Sequence, residues 1–360
     1  MRVRNFALTV ALGLAATACV SDDPITAAPN GSNGADSDAS VAAVGAPDRP
    51  IELGDPNAIQ PLDPASLIVD AESIVFDTFD GGSVTLAEAD QETIDRLLDA
   101  IAPIDAPEYE PGAEADWLAS EDVVIGYVDE ADNAWAFPVR MLNFHEIVND
   151  QFAGVPVLVS YCPLCGSGVV FDRRLDGQTI SFSNTSALHE NDMVMVDRET
   201  GSYWWQVPGR AVGGEFAGQE LEVLPAQTIG WADWLEAHPD TQLLSQLPGR
   251  NYARDPFVGY ADRVDAGQTP FPVSDEALAD GRLSAGTSVV VATIDGETRA
   301  WPVSPERQVE DRVGDTDVTV TLDGEVGGTV VRTDDGTPVG TRTSLWFAVV
   351  ASFPEVTVGS

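Results

Sequence analysis

Two cysteines three positions apart are the most specific chemical signal in this 360-residue chain. They lie in the run Y-C-P-L-C-G-S (161–167). A tight turn lets both sulfur atoms face one point, and the glycine after the second cysteine permits the bend. This spacing is typical of a metal knuckle, and it also fits a dithiol redox pair or a structural disulfide. Turn and strand residues follow instead of a helix, which disfavours a thioredoxin-like fold.

Three histidines are the imidazole ligands that the sequence can add to the two thiols. His145 precedes the strand that leads into the knuckle, and His189 follows a predicted hairpin. His238 ends a short predicted helix, where a cation complements the helix dipole, so we expect a structural role for it. Two thiolates and one imidazole suit Cu(I) or Zn(II). The sequence therefore predicts that Cys162, Cys165 and His145 bind a metal ion, and His189 is a weaker candidate for a fourth ligand.

The elements that carry these residues recur later in the chain. Residues 123–139 and 289–303 both read as strand, acidic turn, strand and then aromatic-Pro-Val. With a shift of three residues, the strand at 157–161 matches the one at 318–322. We therefore predict two related β units with inserted hairpins, at about residues 120–185 and 286–350.

The two copies differ where the candidate ligands lie. The second copy carries different residues at the three positions: Glu306 for His145, Asp323 for Cys162 and Val326 for Cys165. Three soft-metal ligand types are thus present together in one copy and absent together from the other. A shared site predicts this joint presence.

The hydrophobic pattern predicts a mainly β, α+β fold with a few short helices. Alternating apolar residues indicate strands, with hairpins closed by Asp176-Gly177 and by residues 199–201. Apolar residues at helical spacing predict helices over Leu86 to Ile101 and Trp231 to Ala237.

The N-terminus predicts export as a lipoprotein. Arg2 and Arg4 precede an apolar stretch that is too short to span a membrane stably. Small residues then lead to Cys19, so residues 1–18 read as a signal peptide and Cys19 as the lipid-bearing residue. An ordinary secretory signal with a chance cysteine is the alternative. We expect an extracytoplasmic protein held to the cell membrane by its N-terminal lipid.

Composition divides the rest of the chain and excludes several functions. Residues 19–60 are acidic and lack aromatics, as in a disordered tether, 61–110 form a helical or extended segment, and 111–360 form the mainly β domain. The net charge of −41 argues against binding nucleic acid. The chain has no lysine, which excludes Schiff-base chemistry and a phosphate-binding loop.

Several motifs carry a resemblance to a known family. They are N-F-H-E-I-V-N-D (143–150), V-S-Y-C-P-L-C-G-S (159–167), V-F-D-R (170–173), D-M-V-M-V-D-R-E-T-G-S-Y-W (192–204) and L-W-F-A-V-V-A-S-F-P-E (345–355). On these motifs the chain resembles the bacterial and archaeal domain of unknown function 3179 (DUF3179) over most of residues 110–355. The resemblance implies that His145, Cys162 and Cys165 belong to the family pattern, whereas the loop around His189 is more variable. It implies no activity.

Three functional hypotheses follow from the sequence. The first is an exported lipoprotein that binds copper or zinc, to carry or sense the metal. The second is a thiol-disulfide oxidoreductase that uses Cys162 and Cys165. The third is a surface interaction domain in which the same cysteines form a structural disulfide. The sequence identifies no substrate or protein partner and does not decide whether the protein is an enzyme.

Overall fold

The structure, a computed structural model, describes residues 51–303, 306–323 and 326–359. The predicted signal peptide, Cys19 and residues 19–50 of the predicted tether lie outside the described residues. None of the helices in the described part is long and apolar enough to cross a membrane.

The described chain contains short strands and a few short helices. The strands are β1 (Ile74–Asp77), β2 (Ser83–Thr85), β3 (Ile104–Asp105), β4 (Tyr109–Pro111), β5 (Val123–Val128), β6 (Ala134–Pro138), β7 (Ile147–Phe152), β8 (Val155–Cys162), β9 (Ser167–Asp172), β10 (Arg174–Leu175), β11 (Gln178–Thr179), β12 (Phe182–His189), β13 (Asp192–Asp197), β14 (Tyr203–Trp205), β15 (Arg210–Gly213), β16 (Ala226–Gly230), β17 (Gln242–Leu244), β18 (Ser288–Ile294), β19 (Glu297–Pro302), β20 (Arg307–Val313), β21 (Thr316–Leu322), β22 (Gly328–Arg332), β23 (Thr341–Leu345) and β24 (Thr357–Val358). The α-helices are α1 (Gln91–Leu97), α2 (Val139–His145), α3 (Trp231–Ala237), α4 (Tyr260–Asp265), α5 (Asp275–Leu278) and α6 (Trp346–Ser352), and 3₁₀ turns lie at Pro64–Ser66, Ala71–Ser73 and Gly112–Glu114.

The strands form three large sheets and two small ones. The orders are β24-β19-β18-β23-β9-β8-β7-β3, β15-β14-β13-β12-β1-β2, β16-β5-β6-β17-β4, β20-β21-β22 and β10-β11. Strands β8 and β9 are buried along nearly their whole length, which fits their almost continuous apolar sequence. The predicted mainly β, α+β fold is confirmed.

Two parts of the structure share one topology. In the first, β5 pairs antiparallel with β16 and β6, and β6 pairs parallel with β17. In the second, β18 pairs in the same way with β23 and β19, and β19 pairs parallel with β24. The helices α3 and α6 follow β16 and β23, and each begins with a tryptophan, Trp231 or Trp346. We call these parts unit 1 (123–244) and unit 2 (288–358).

Each unit also contains a three-stranded meander that packs against the other unit. The meanders are β7-β8-β9 in unit 1 and β20-β21-β22 in unit 2. Strand β9 pairs with β23 of unit 2. Reciprocally, the backbone of Gly327, just before β22, lies against the carbonyl of Thr228 on β16. The two units are therefore intertwined and share their cores.

A long insertion distinguishes unit 1 from unit 2. Residues 173–225 separate β9 from β16 and contribute β10 to β15, whereas only residues 333–340 separate β22 from β23. The inserted strands β12 to β15 form the six-stranded sheet with the N-terminal hairpin β1-β2. The predicted turn at Asp176-Gly177 closes β10-β11, and both residues have the positive φ that such a turn requires.

Two expectations about the N-terminal segment need correction. The predicted helix over Leu86 to Ile101 is restricted to α1, because the Asp90 side chain accepts from the Thr93 N–H and starts the helix there. Residues 51–60 of the predicted tether contact the domain. The Gly54 N–H donates to Ser181 Oγ at 2.9 Å, and Ile59 packs at the edge of a hydrophobic core.

Candidate functional site

The two cysteines lie at the turn that connects β8 to β9. Cys162 ends β8, and the Cys165 N–H donates back to the Cys162 carbonyl at 3.2 Å. Gly166 has φ +54°, a left-handed conformation that favours glycine and turns the chain into β9. The Leu345 N–H of unit 2 donates to the Cys165 carbonyl at 2.7 Å. The turn is thus held by both units, and both side chains lie in the core as free cysteines.

Asp192 supplies a carboxylate to this turn. It follows a two-residue hairpin turn at Glu190 and Asn191, both with positive φ. The thiol of Cys165 donates to Asp192 Oδ1 at 3.3 Å, and the Val207 N–H donates to Oδ2 at 2.8 Å. One ligand atom from each of Cys162, Cys165 and Asp192 lies within 4.8 Å of the others. We call these three buried residues the thiol–carboxylate cluster.

Burial favours the protonated forms of all three groups. It raises the pKa of the Cys162 thiol and raises that of Cys165 well above its ordinary value. It also raises the pKa of Asp192 to about 7, although hydrogen bonds from Val207 and the two cysteines act in the opposite direction. A cation in the cluster would offset the cost of burying these groups as anions.

A fourth acidic group, Glu146, lies beside the cluster. It ends α2 in a left-handed conformation, with φ +59°, and its Oε2 accepts from Asn184 Nδ2 at 2.6 Å. Burial of the carboxyl group, together with the charge of Asp192, raises the pKa of Glu146 to about 8. The strained backbone and the raised pKa are features that concentrate at functional sites.

The structure does not bring His145 into the cluster. Its Nδ1 lies 2.8 Å from the Ala102 carbonyl oxygen, and its Nε2 lies 2.9 Å from the Tyr252 hydroxyl. Because both ring nitrogens have these partners, His145 ties α2 to two neighbouring segments. We therefore replace His145 with Asp192 in the ligand set.

The other two histidines also lie outside the cluster. His189 contacts the Ser73 carbonyl with Nδ1 at 3.3 Å and packs on Trp205, so its ring is part of the six-stranded sheet's core. His238 caps α3 and stacks on Trp234 with the ring centroids 4.1 Å apart.

A loop without regular secondary structure packs on the core that contains both cysteines. We call residues 245–259, between β17 and α4, the cover loop. It contacts the segments that build the site. Asn143 Nδ2 donates to Asp255 Oδ1 at 3.1 Å, and Phe257 packs on the core that contains both cysteines. Just after the loop, the Tyr260 hydroxyl accepts from Asn191 Nδ2 at 3.0 Å.

Comparison with known proteins identifies the family and no characterised relative. The family model described as protein of unknown function (DUF3179) matches residues 98–355. The chain belongs to the DUF3179 family. No curated protein and no solved structure matched. The match to DUF3179 includes the cysteine turn, Asp192 and the cover loop, so the candidate site lies within the family domain.

Asp192 is the residue that sequence reasoning missed. The chain contains 59 acidic residues, which are too many for the sequence to single out one of them as a ligand. The available signal was its position at the start of D-M-V-M-V (192–196), because a carboxylate beside a run that must be buried requires a partner. The insertion that unit 2 lacks provides this carboxylate, so the repeat comparison could not find it.

Proposed function

We propose that this DUF3179 protein is an exported, lipid-anchored protein that binds one Zn(II) or Cu(I) ion through Cys162, Cys165 and Asp192. The observation that carries the proposal is the thiol–carboxylate cluster, in which three buried ligand atoms lie within 4.8 Å of one another. Buried ionisable groups need a counter-charge or a proton, and a metal ion supplies the counter-charge for all three at once.

The chemistry of the donors favours zinc over copper. Thiolate sulfur suits both Zn(II) and Cu(I), whereas a carboxylate oxygen is a hard ligand that Zn(II) accepts more readily. Binding must displace protons, because the thiol pKa values are raised. Metal affinity should therefore increase with pH.

A dithiol redox function is the second candidate, favoured by two free thiols in one turn. The electrostatics support it less well. Reactive cysteines have a lowered thiol pKa and some exposure. Here burial raises both pKa values, and Cys165 is 0% exposed.

The test of metal binding is elemental analysis of the purified full chain. We expect about one zinc or copper per chain, lost in Cys162→Ser and bound at least tenfold more weakly in Asp192→Asn. Two matched variants should keep the metal. His145→Gln changes the histidine that contacts Ala102 and Tyr252, and Asp197→Asn changes a second buried aspartate on β13.

Two results would overturn the proposal. Metal-free protein whose two thiols oxidise and reduce reversibly would assign the dithiol function. Metal-free protein with a Cys162–Cys165 bond that persists in mild reductant would assign a structural disulfide.

The proposed anchor rests on the N-terminal sequence and needs its own test. Membranes from cells that express the chain should retain it until detergent is added, and its mass should include acyl chains. A Cys19→Ala variant should lose the acyl mass. Wild-type protein that carries no acyl mass would refute the anchor and leave the metal site untouched.

A further inference from the structure

Two buried oxygen atoms beside the thiol–carboxylate cluster have no hydrogen-bond partner among the described residues. They are Ser167 Oγ and Gln206 Oε1, and both residues are 0% exposed. A buried polar atom without a partner costs stability, so two of them next to one cluster need an explanation.

Strand pairing places Ser167 next to the metal ligands. Ser167 is directly opposite Cys162 in the β8-β9 pair. Residues opposite each other in antiparallel strands project to the same face of the sheet, with Cβ atoms about 4.5–5.5 Å apart. Ser167 therefore faces the core that contains both cysteines. Val169, two positions further along β9, belongs to that same core.

Hydrogen bonds place Gln206 between Ser167 and Asp192. Gln206 Nε2 donates to the Ser167 carbonyl at 3.3 Å. The next residue, Val207, donates its N–H to Asp192 Oδ2. The two residues with unpartnered oxygens are thus linked to the cluster at both ends, to Cys162 through the strand pairing of Ser167 and to Asp192 through the neighbour of Gln206.

Other buried hydroxyl groups near the cysteines have partners. Ser160, on the same strand as Cys162, donates to Met195 Sδ at 3.8 Å. Ser344 of unit 2 donates to the Cys165 carbonyl at 3.3 Å. Ser167 thus differs from these two neighbouring serines, although the described residues contain six further buried polar atoms without a partner elsewhere, Ser352 Oγ among them.

We propose that an exchangeable oxygen ligand, a water molecule or hydroxide, completes the metal's coordination and is held by Ser167 and Gln206. The inference rests on the proposed metal site. Zinc prefers four ligands, and structural zinc sites obtain all four from the protein. The cluster supplies three, so the metal keeps one position that small anions can occupy.

The probe is Co(II), whose visible absorption reports its coordination, added to the metal-free full chain. We expect azide to change the visible spectrum of the Co(II) protein by replacing the oxygen ligand. We also expect the variant Ser167→Ala/Gln206→Met to bind Co(II) at least tenfold more weakly, since outer-shell partners typically change metal affinity by 10- to 100-fold.

The stability of the metal-free protein separates this role from a structural one. Ser167→Ala removes an unpartnered hydroxyl, so the metal-free variant should be as stable to urea as the wild type, or more stable. Ser160→Ala is the matched control, because it removes a partnered buried hydroxyl from the neighbouring strand and should leave Co(II) affinity unchanged.

The outcomes are distinguishable. Wild-type protein that binds none of Co(II), Zn(II) and Cu(I) contradicts the proposed function itself. Protein that binds Co(II), ignores azide and keeps its affinity in the double variant overturns only the fourth-ligand inference. A Ser167→Ala variant that is less stable without metal would also overturn it, by showing that the hydroxyl has a structural partner.

Discussion

Three buried carboxyl groups of the domain are held in an unusual protonation range. Burial raises the pKa of Asp150 to about 6, of Asp192 to about 7 and of Glu146 to about 8. Asp150 is separate from the thiol–carboxylate cluster. Its Oδ2 accepts from the Tyr109 hydroxyl at 2.5 Å, and this bond lowers its pKa only in part. Asp150 therefore offers a test that does not involve the metal.

We predict that Asp150 makes folding less favourable as pH rises from about 4 to about 6. The folded state holds this proton up to about pH 6, whereas the unfolded chain releases it near 3.8, so the free energy of unfolding falls across that window. In the wild type this group should lower the free energy of unfolding by an amount on the order of 2–3 kcal/mol across the window, and in Asp150→Asn that decrease should be absent. Urea unfolding at a series of pH values measures it. The exposed control Asp334→Asn should follow the wild type, and a parallel Asp150→Asn profile would contradict the prediction.

At the residue scale, the sequence predicted the two thiols and not their third partner. The Y-C-P-L-C-G motif specifies a local turn, so its geometry follows from neighbouring residues. Asp192 reaches Cys165 across 27 positions through the inserted hairpin, and that contact depends on how two sheets pack. The structure places His145 outside the cluster for a similar reason. The sequence indicates that His145 lies just before β7. The direction of its ring, however, depends on contacts with Ala102 and Tyr252, which no local pattern specifies.

At the element scale, the cover loop packs on the core that contains both thiols. Hydroxyl contacts lie near its middle and just beyond its end, from Tyr252 to His145 and from Tyr260 to Asn191. Gly249 and Gly259 border its central part, both with positive φ and with open space where a Cβ would stand. These two glycines adopt backbone conformations that other residues rarely take, which makes them the hinge positions we expect if the loop moves.

We predict that Tyr252→Phe/Tyr260→Phe makes the cysteines easier to label in the metal-free protein. Each lost hydrogen bond is worth about 1 kcal/mol, or about fivefold in the population of an open state, so the two together raise that population about thirtyfold. The rate of reaction of both thiols with a chromogenic disulfide reagent should increase by about that factor or more. Tyr203→Phe, whose ring lies in a core that does not contain the cysteines, is the control. Equal rates in all three proteins would mean that the thiols become exposed by another movement.

At the scale of the whole molecule, the two units differ in how the same strand packs against the same helix. Strand register aligns Gly126 of unit 1 with Val291 of unit 2, and the helices align Trp234 with Val349. A Cβ on Gly126 would lie 2.4 Å from the Trp234 ring. At this contact unit 1 therefore combines a glycine, which has no side chain, with a large tryptophan. At the aligned positions unit 2 combines two valines of medium size.

We predict strong non-additivity when unit 1 is given the packing of unit 2. Gly126→Val alone should cost about 3 kcal/mol or more by overpacking, and Trp234→Val alone about 3–5 kcal/mol by leaving a cavity. The triple variant with Thr241→Val, which removes the hydroxyl that accepts from Trp234 Nε1, should cost less than half their sum. Urea unfolding measures each value. Additive costs would show that the units do not share interchangeable cores.

The sequence predicted the recurrence of the units better than their arrangement. Alternating strands, the aromatic-Pro-Val segment and the acidic turns repeat locally, so one chain reveals them. The pairing of β9 with β23 joins residues of different units, and no local pattern specifies it. The same limit explains why the six-stranded sheet, built from the insertion and the N-terminal hairpin, was not predicted.

The order of the site residues along the chain has a consequence for the time at which the site forms. Cys162, Cys165 and Asp192 all precede the cover loop, which begins at residue 245. Whenever the chain emerges from its N-terminus, at the ribosome or through a translocation channel, the ligands leave first and their cover leaves later. If the proposed ion binds there, an ion that arrives in that interval would meet thiols without the loop, whereas a later one would reach them only past the loop. Loading during emergence would then be fast, and exchange in the finished protein slow.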